Sequence, residues 1–256
     1  MEFSLGAQLY TVREYTQTPA DAAQTFRRVA EIGYKSAQVS GFGPIDCHEL
    51  YKISLDAGVT IALTHTPIDR IINETDAVMR EHDVFGCKII GLGGLANEMR
   101  DTPEHFFDAV KVIAETAEKI SRNGFTFAYH NHAWEFCKIE GKTMMQYLLE
   151  NTDPEAMKLT LDAYWIQHAG INPVEFIEEN GNRICALHLK DMIPRFDNST
   201  EFAEIGYGNM NYPSIIAAAK KKNIKWHMVE QDRCNRNPFD SLKMSYDYLD
   251  KLGCYK

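Results

Sequence analysis

The sequence predicts an α/β fold, a parallel eight-stranded (β/α)8 barrel with its helices outside. Three observations predict it. The chain has 256 residues, close to the usual length of such a barrel as one domain. Short apolar runs alternate with amphipathic stretches from end to end, and that alternation builds a parallel sheet. Several of the runs end in His, Asp, Glu or Lys, where a barrel carries its functional groups. An open doubly wound sheet is the alternative, but no Gly-x-Gly-x-x-Gly cradle follows the first run. Gly91-Leu92-Gly93-Gly94 follows the fourth, too late and too short to serve. No linker, repeat or low-complexity stretch divides the chain, so residues 1–256 read as one domain.

The elements follow in order. Strands are expected at 3–9, 35–40, 58–64, 87–92, 124–130, 157–161, 184–189 and 225–230, most of them rich in Val, Ile, Leu or aromatics. Helices are expected between them at 19–32, 45–56, 70–85, 102–122, 142–150, 172–179, 211–222 and 237–251. In the first helix Ala22, Phe26, Val29 and Ala30 follow the spacing of one buried face. Gly33 then stops it, and Gly58 and Gly124 repeat that stop. The stretch 191–210 is the longest irregular segment and reads as a lid.

Composition narrows the function. The net charge is -9, which works against a polyanionic partner. Lys220-Lys221-Lys222 is the nearest basic run, and it ends a predicted helix, where cations are at home. Six cysteines lie far apart without a Cys-x-x-Cys pair, so reduced thiols and a cytoplasmic location are expected. No signal peptide or membrane span is expected, since no apolar stretch approaches about 18 residues.

The strand ends carry the chemistry. Strand five runs into His130, Asn131, His132, Trp134 and Glu135, strand six into Asp162, strand seven into His188, Lys190 and Asp191, and strand eight into Glu230. Asp162 alone would serve as an N-cap, and His188 alone as a satisfied buried imidazole. Together, mixed N and O donors at consecutive strand ends suit one divalent ion of Mn, Zn, Co or Fe. Gln8 and Tyr10 end strand one, Gln38 and Ser40 strand two, and His65 strand three. Such hydroxyl, amide and imidazole groups suit a polyhydroxylated ligand.

These residues also carry a resemblance. Gly6-Ala7-Gln8-Leu9-Tyr10-Thr11-Val12-Arg13 resembles the opening strand of the sugar phosphate isomerase/epimerase family, within the xylose isomerase-like TIM barrels. The run from Tyr129 to Phe136 is similar to the family's fifth-strand motif. His188-Leu189-Lys190-Asp191, Glu204-Ile205-Gly206-Tyr207-Gly208-Asn209 and Val229-Glu230-Gln231-Asp232 are similar to later motifs. The resemblance implies a metal bound by carboxylates and a His, with Asp162, His188 and Glu230 matching ligand positions. Epimerase-type members end strand five in a Glu, where this chain has His130. Either Glu135, five residues on, reaches back to the metal or His130 replaces the usual carboxylate; Glu135 is the expected fourth ligand, with His130 or His132 free as a base. Those members also carry Asp-x-x-His at strand six. Here Trp165 stands in place of that His, with His168 close by, and both are expected to touch substrate.

The expected activity is that of a sugar isomerase or epimerase acting on a keto-sugar or polyol. A metal acting as Lewis acid would stabilise the enediolate formed when a base removes the proton beside a carbonyl. His130, His132 and Glu230 are the candidate bases, and Lys190 would stabilise negative charge. Loss of a β-leaving group from the same enolate would make a lyase or dehydratase, acting on a 3-keto-glycoside or an inosose. An endonuclease IV-like nuclease would need more ligands and a basic groove. A non-catalytic sugar-binding protein would have lost the ligand set. The expected partner is a small-molecule sugar, without nucleic acid or membrane; self-association as a homo-oligomer stays open.

Overall fold

A computed structural model describes residues 3–255. Eight strands form the barrel: β1 Ser4–Gln8, β2 Ser36–Val39, β3 Thr60–Thr64, β4 Ile89–Leu92, β5 Thr126–His130, β6 Met157–Asp162, β7 Ile184–Leu189 and β8 Trp226–Val229. Their order around the sheet is β3-β2-β1-β8-β7-β6-β5-β4, and neighbours in that order pair in parallel. The β3–β4 seam nearly closes the ring. There the Thr66 N–H donates to the Gly91 carbonyl at 2.7 Å. A Cβ at Gly91 would lie 2.1 Å from the Thr64 carbonyl oxygen, so glycine permits the approach.

Strand interiors are buried on both faces, as parallel strands covered by helices must be. A small cluster of Leu63, Ala186 and Met228 packs apart from the main core. The larger core joins the strands to surrounding helices through Phe26, Ile90, Phe106, Phe127 and Leu242. The helices start by one local rule. Thr18, Thr102, Asn172 and Asn237 each accept a backbone N–H and are followed by proline. The cap satisfies a free donor, and proline removes another at no cost to the helix. Gly58 and Gly86 then end their helices in the left-handed conformation.

Three local features depart from expectation. The helix expected at 70–85 is two, Ile68–Asn73 and Thr75–Phe85, broken at Glu74. Arg70 spans the break, pairing with Glu74 at 3.1 Å and with Glu81 at 2.7 Å. A short helix, Ala163–His168, starts directly from strand six. The stretch 191–210 is ordered by hydrogen bonds rather than loose. It opens as a hairpin, Asp191–Pro194 against Thr200–Ala203. Its return then wraps the Asp191 carboxylate, which accepts from the N–H groups of Met192, Gly206, Gly208 and Met210 at 2.7–3.1 Å.

That wrapping explains Gly208 in the Glu204–Asn209 run. A Cβ at Gly208 would stand 2.4 Å from Asp191 Oδ1 and 2.5 Å from the Met192 carbonyl oxygen. Gly208→Ala is therefore expected to cost about 1–3 kcal/mol by overpacking, read as a lower urea midpoint. An unchanged midpoint would contradict this fit. Among the described residues no helix is long and apolar enough to cross a membrane.

Candidate metal centre

Strand alternation sends every second side chain to the same face. At the C-terminal ends of β5, β6 and β7 this aligns His130, Asp162 and His188, and Glu230 follows β8 directly. All four are buried, and one donor atom from each lies within 4.8 Å of the others. His188 Nδ1 is 2.9 Å from Glu230 Oε2 and 3.8 Å from Asp162 Oδ2. His130 Nε2 is 3.3 Å from Asp162 Oδ2.

Neighbouring groups set the tautomers. Gln38 donates through Nε2 to the Thr64 carbonyl at 3.3 Å, which turns its Oε1 toward His188. His188 Nε2–H then donates to that oxygen at 2.7 Å, leaving Nδ1 to face the carboxylates. His130 Nδ1–H donates to the Gly93 carbonyl at 3.0 Å, leaving Nε2 for the site. Asn131 holds the Asp162 backbone, accepting from its N–H at 2.9 Å. Partners of this kind fix the orientation of metal-ligating imidazoles.

The donor set fits a divalent cation. His188 Nδ1 and Glu230 Oε2 are buried and make no hydrogen bond, although they face each other. Two carboxylates and two imidazole nitrogens of this kind repel one another unless a cation or proton lies between them. Lys190 neutralises part of the charge. Its Nζ donates to Asp232 Oδ2 at 2.7 Å and stands 3.0 Å from Asp162 Oδ2 and 2.9 Å from Glu230 Oε2. Three carboxylates facing one ammonium leave two negative charges, the charge a divalent ion would balance.

The pKa values follow from these contacts. Burial disfavours the charged forms of Asp162 and Glu230, but Lys190 together with His188 and His130 outweighs it and holds both well below the usual carboxylate range. Burial works against the His188 imidazolium too, yet Glu230 and Asp162 raise it to about 9. A proton thus takes the cation's place on His188 in the metal-free protein. His132 goes the other way, down to about 3, through burial and then His130. Burial likewise lowers His227 to about 4. For these two the unfolded chain binds the proton first, near pH 6.5. Their contribution to stability is full above that pH and falls with acid toward pH 3–4. Acid titration by circular dichroism should show loss beginning below about pH 6.5; a flat profile down to pH 4 would contradict it.

The remaining sequence-predicted residues divide. Glu135 is not among the clustered donors. Its Oε1 accepts from Tyr129 OH at 3.0 Å and its Oε2 from the His132 N–H at 2.8 Å. The helical turn Trp134–Phe136 turns it away from the centre, and burial raises it to about 7. His130, rather than Glu135, is the strand-five residue that joins the clustered donors. His132 and His65 border a cavity of about 320 Å³ with Tyr10, Glu230 and Asp232. Gln8 is fully buried and does not border it. Its Oε1 accepts from the Tyr10 N–H, and its Nε2 lies 3.2 Å from His65 Nδ1, so it positions those two residues. Trp165 packs on His132 at 5.5 Å between ring centres. His168 is exposed, stacked on Tyr164. It ends the helix that Asp162 begins, about 9 Å along the axis.

Two residues given no role from the sequence belong to the site. Asp232 carries the only proper hydrogen bond from Lys190 Nζ among the described residues, and its alternation from Glu230 could have marked it. The buried Tyr212 hydroxyl donates to the Lys190 carbonyl at 2.6 Å and accepts its N–H at 2.7 Å. Nothing local in the sequence signals that contact, 22 residues away. A larger cavity of about 640 Å³ lies at the strand beginnings, by Ser36, Thr60 and Trp226. That is the stabilising face of such barrels, and the His and carboxylate donors are at the other end.

Eight parallel strands with a buried His/Asp/His/Glu centre at their C-terminal ends define an enzyme-type barrel able to hold a metal. The chain matches the xylose isomerase-like TIM barrel model over residues 26–252, and it belongs to that family. It is similar to the inosose dehydratase of Mesomycoplasma hyopneumoniae strain J, 25% identical over 267 residues, covering 90% of this chain and 88% of the relative. The inosose dehydratase of Clostridium beijerinckii is 24% identical over 270 residues, covering 90% and 89%. A sugar phosphate isomerase/epimerase structure from Parabacteroides distasonis matches with a TM-score of 0.80 at 23% identity, over 99% of this chain and 100% of that one. A probable 3-DHS dehydratase from Bacillus anthracis matches at 0.74 and 16% identity, over 98% and 99%. These structural likenesses show the fold.

Proposed function

We propose that the protein is a metal-dependent carbon–oxygen lyase acting on a keto-polyol or keto-sugar of the inosose or 3-keto-glycoside class. One observation carries this reading: the carboxylates placed to carry a proton both follow strand eight, Glu230 and Asp232. On strand five His130 is tied by Nδ1 to Gly93, and Glu135 is bonded to Tyr129 and His132. Epimerisation asks for a proton carrier on each face of the substrate. His132, held down to about 3, is a poor second carrier at neutral pH. Elimination needs a carrier on one face alone. The inosose dehydratase names of the relatives support this choice over the isomerase or epimerase reading.

His130, Asp162, His188 and Glu230 would hold the ion, which when bound supplies Lewis-acid polarisation of a substrate carbonyl. Asp232 borders the cavity outside that donor group. It takes the proton from the carbon beside the carbonyl, and the electron pair moves in to form a carbon–carbon double bond. The β carbon–oxygen bond breaks, and Asp232 returns the proton to the leaving oxygen. The substrate loses water or an alcohol, with no oxidant or reductant involved. Burial and then Glu230 raise the Asp232 carboxyl above the ordinary aspartate value, which strengthens it as a base; Lys190 opposes that rise and presents fixed positive charge to the developing oxyanion.

The test is turnover of inososes, 3-keto-glycosides and free ketoses in deuterated water by metal-reconstituted protein. Elimination products are expected from the first two. Deuterated epimer or isomer without elimination would overturn the lyase reading in favour of an isomerase.

A further inference from the structure

We infer that the active site continues into a second subsite that holds the leaving group, and that this group is ring-sized and joined through oxygen. This rests on the lyase reading. A cavity of about 450 Å³ lies beside the catalytic one, and Ser40, His65, Thr66 and Pro67 border both. The catalytic cavity, about 320 Å³, is at the small end of ligand pockets. A free inosose places nothing in the neighbouring space; a glycoside does.

The second cavity is held open by its own loop. Residues 40–46 arch over it after strand β2 and are tied outward. The Gly43 N–H donates to the Thr16 carbonyl at 3.1 Å, and Gln17 Nε2 donates to the Gly41 carbonyl at 2.9 Å. A Cβ at Gly43 would lie 2.1 Å from the Gln17 carbonyl oxygen, so glycine allows the two segments to meet. The lining has two characters. Phe42, Ile45, Leu50 and Phe85 offer apolar faces, and Arg70 with Glu81 adds a charged pair. Near the shared border Thr66 Oγ1, Thr64 Oγ1 and His82 Nε2 form a chain of contacts at 3.1 and 2.8 Å. Apolar walls with a few fixed polar groups suit a flat ring with polar substituents. A hexosyl and an aryl group share that chemistry.

Three substrates with the same reacting ring separate the possibilities: 3-keto-glucose, phenyl 3-keto-glucoside and a 3-keto-glucosyl-glucose. Metal-reconstituted wild type should favour one or both ring-bearing substrates by about tenfold or more in kcat/KM. Preference for the phenyl compound identifies an aryl leaving group, and preference for the disaccharide a sugar. Ile45→Trp, which fills the cavity, should erase that preference, with its melting temperature checking the fold. Equal kcat/KM for all three in wild type, or an equal loss for all three in Ile45→Trp, would overturn the subsite. Absence of elimination from every substrate would overturn the lyase reading alone. Calorimetric Kd values for the same series then decide the subsite, with a ring-bearing advantage supporting it and equal Kd values ending it.

Discussion

Glu230→Gln should lower divalent-metal affinity by about a hundredfold or more, since even residues that orient ligands cost about 10–100-fold. The change removes one of two carboxylates from the donor set and keeps its shape. Turnover should fall with metal content. Glu135→Gln is the matched control, because its carboxylate is occupied by Tyr129 and the His132 N–H. It should retain metal content close to wild type. Elemental analysis after dialysis and titration calorimetry read both. Wild-type affinity in Glu230→Gln, or metal loss in Glu135→Gln, would overturn the assignment. Metal uptake should also release a proton. His188 is raised to about 9 without metal and must be neutral to donate Nδ1. Affinity should therefore climb from pH 6.5 toward pH 9, and buffers of different ionisation enthalpy should reveal the release.

The barrel was legible because its evidence is repeated eight times. Each apolar run and each cap-proline start, such as Thr18-Pro19 or Asn172-Pro173, is local and independent of the others. The helix break at Glu74 was not legible: no proline or glycine marks it, and the Arg70–Glu81 pair that spans it joins residues of two helices. At the site, Asp162, His188 and Glu230 could be placed by strand alternation. Asp162 shows why the competing N-cap reading was also sound. Its Oδ1 caps the helix after strand six, accepting from the Tyr164 and Trp165 N–H groups, while its Oδ2 faces the centre. The choice between His130 and Glu135 was closed to the sequence. It turns on a helical turn of three residues and on Tyr129, whose hydroxyl claims the carboxylate. The place of His168 was closed for a related reason: nearness to Asp162 in sequence becomes distance along the helix Ala163–His168.

Lys190→Met should destabilise the metal-free protein by about 3–5 kcal/mol, the cost of breaking a buried ion pair from one side. The ammonium is buried and faces Asp162, Glu230 and Asp232 within 3.0 Å. Burial alone would lower its pKa, but these carboxylates raise it well above the ordinary lysine value, so it stays charged. Methionine keeps most of the volume and none of the charge. The pH dependence has a definite sign. Asp162 and Glu230 are held well below their unfolded values. The stability they draw from Lys190 is full above about pH 4–4.5 and is lost as acid protonates them in the folded state. The gap between wild type and Lys190→Met should therefore be widest near neutrality and narrow in acid. A divalent ion replaces the missing charge, so metal should stabilise the variant more than the wild type. Urea unfolding with chelator, with metal and at two pH values measures all three effects. Equal stability of the chelated proteins at neutral pH would show that the ammonium does not carry this charge balance.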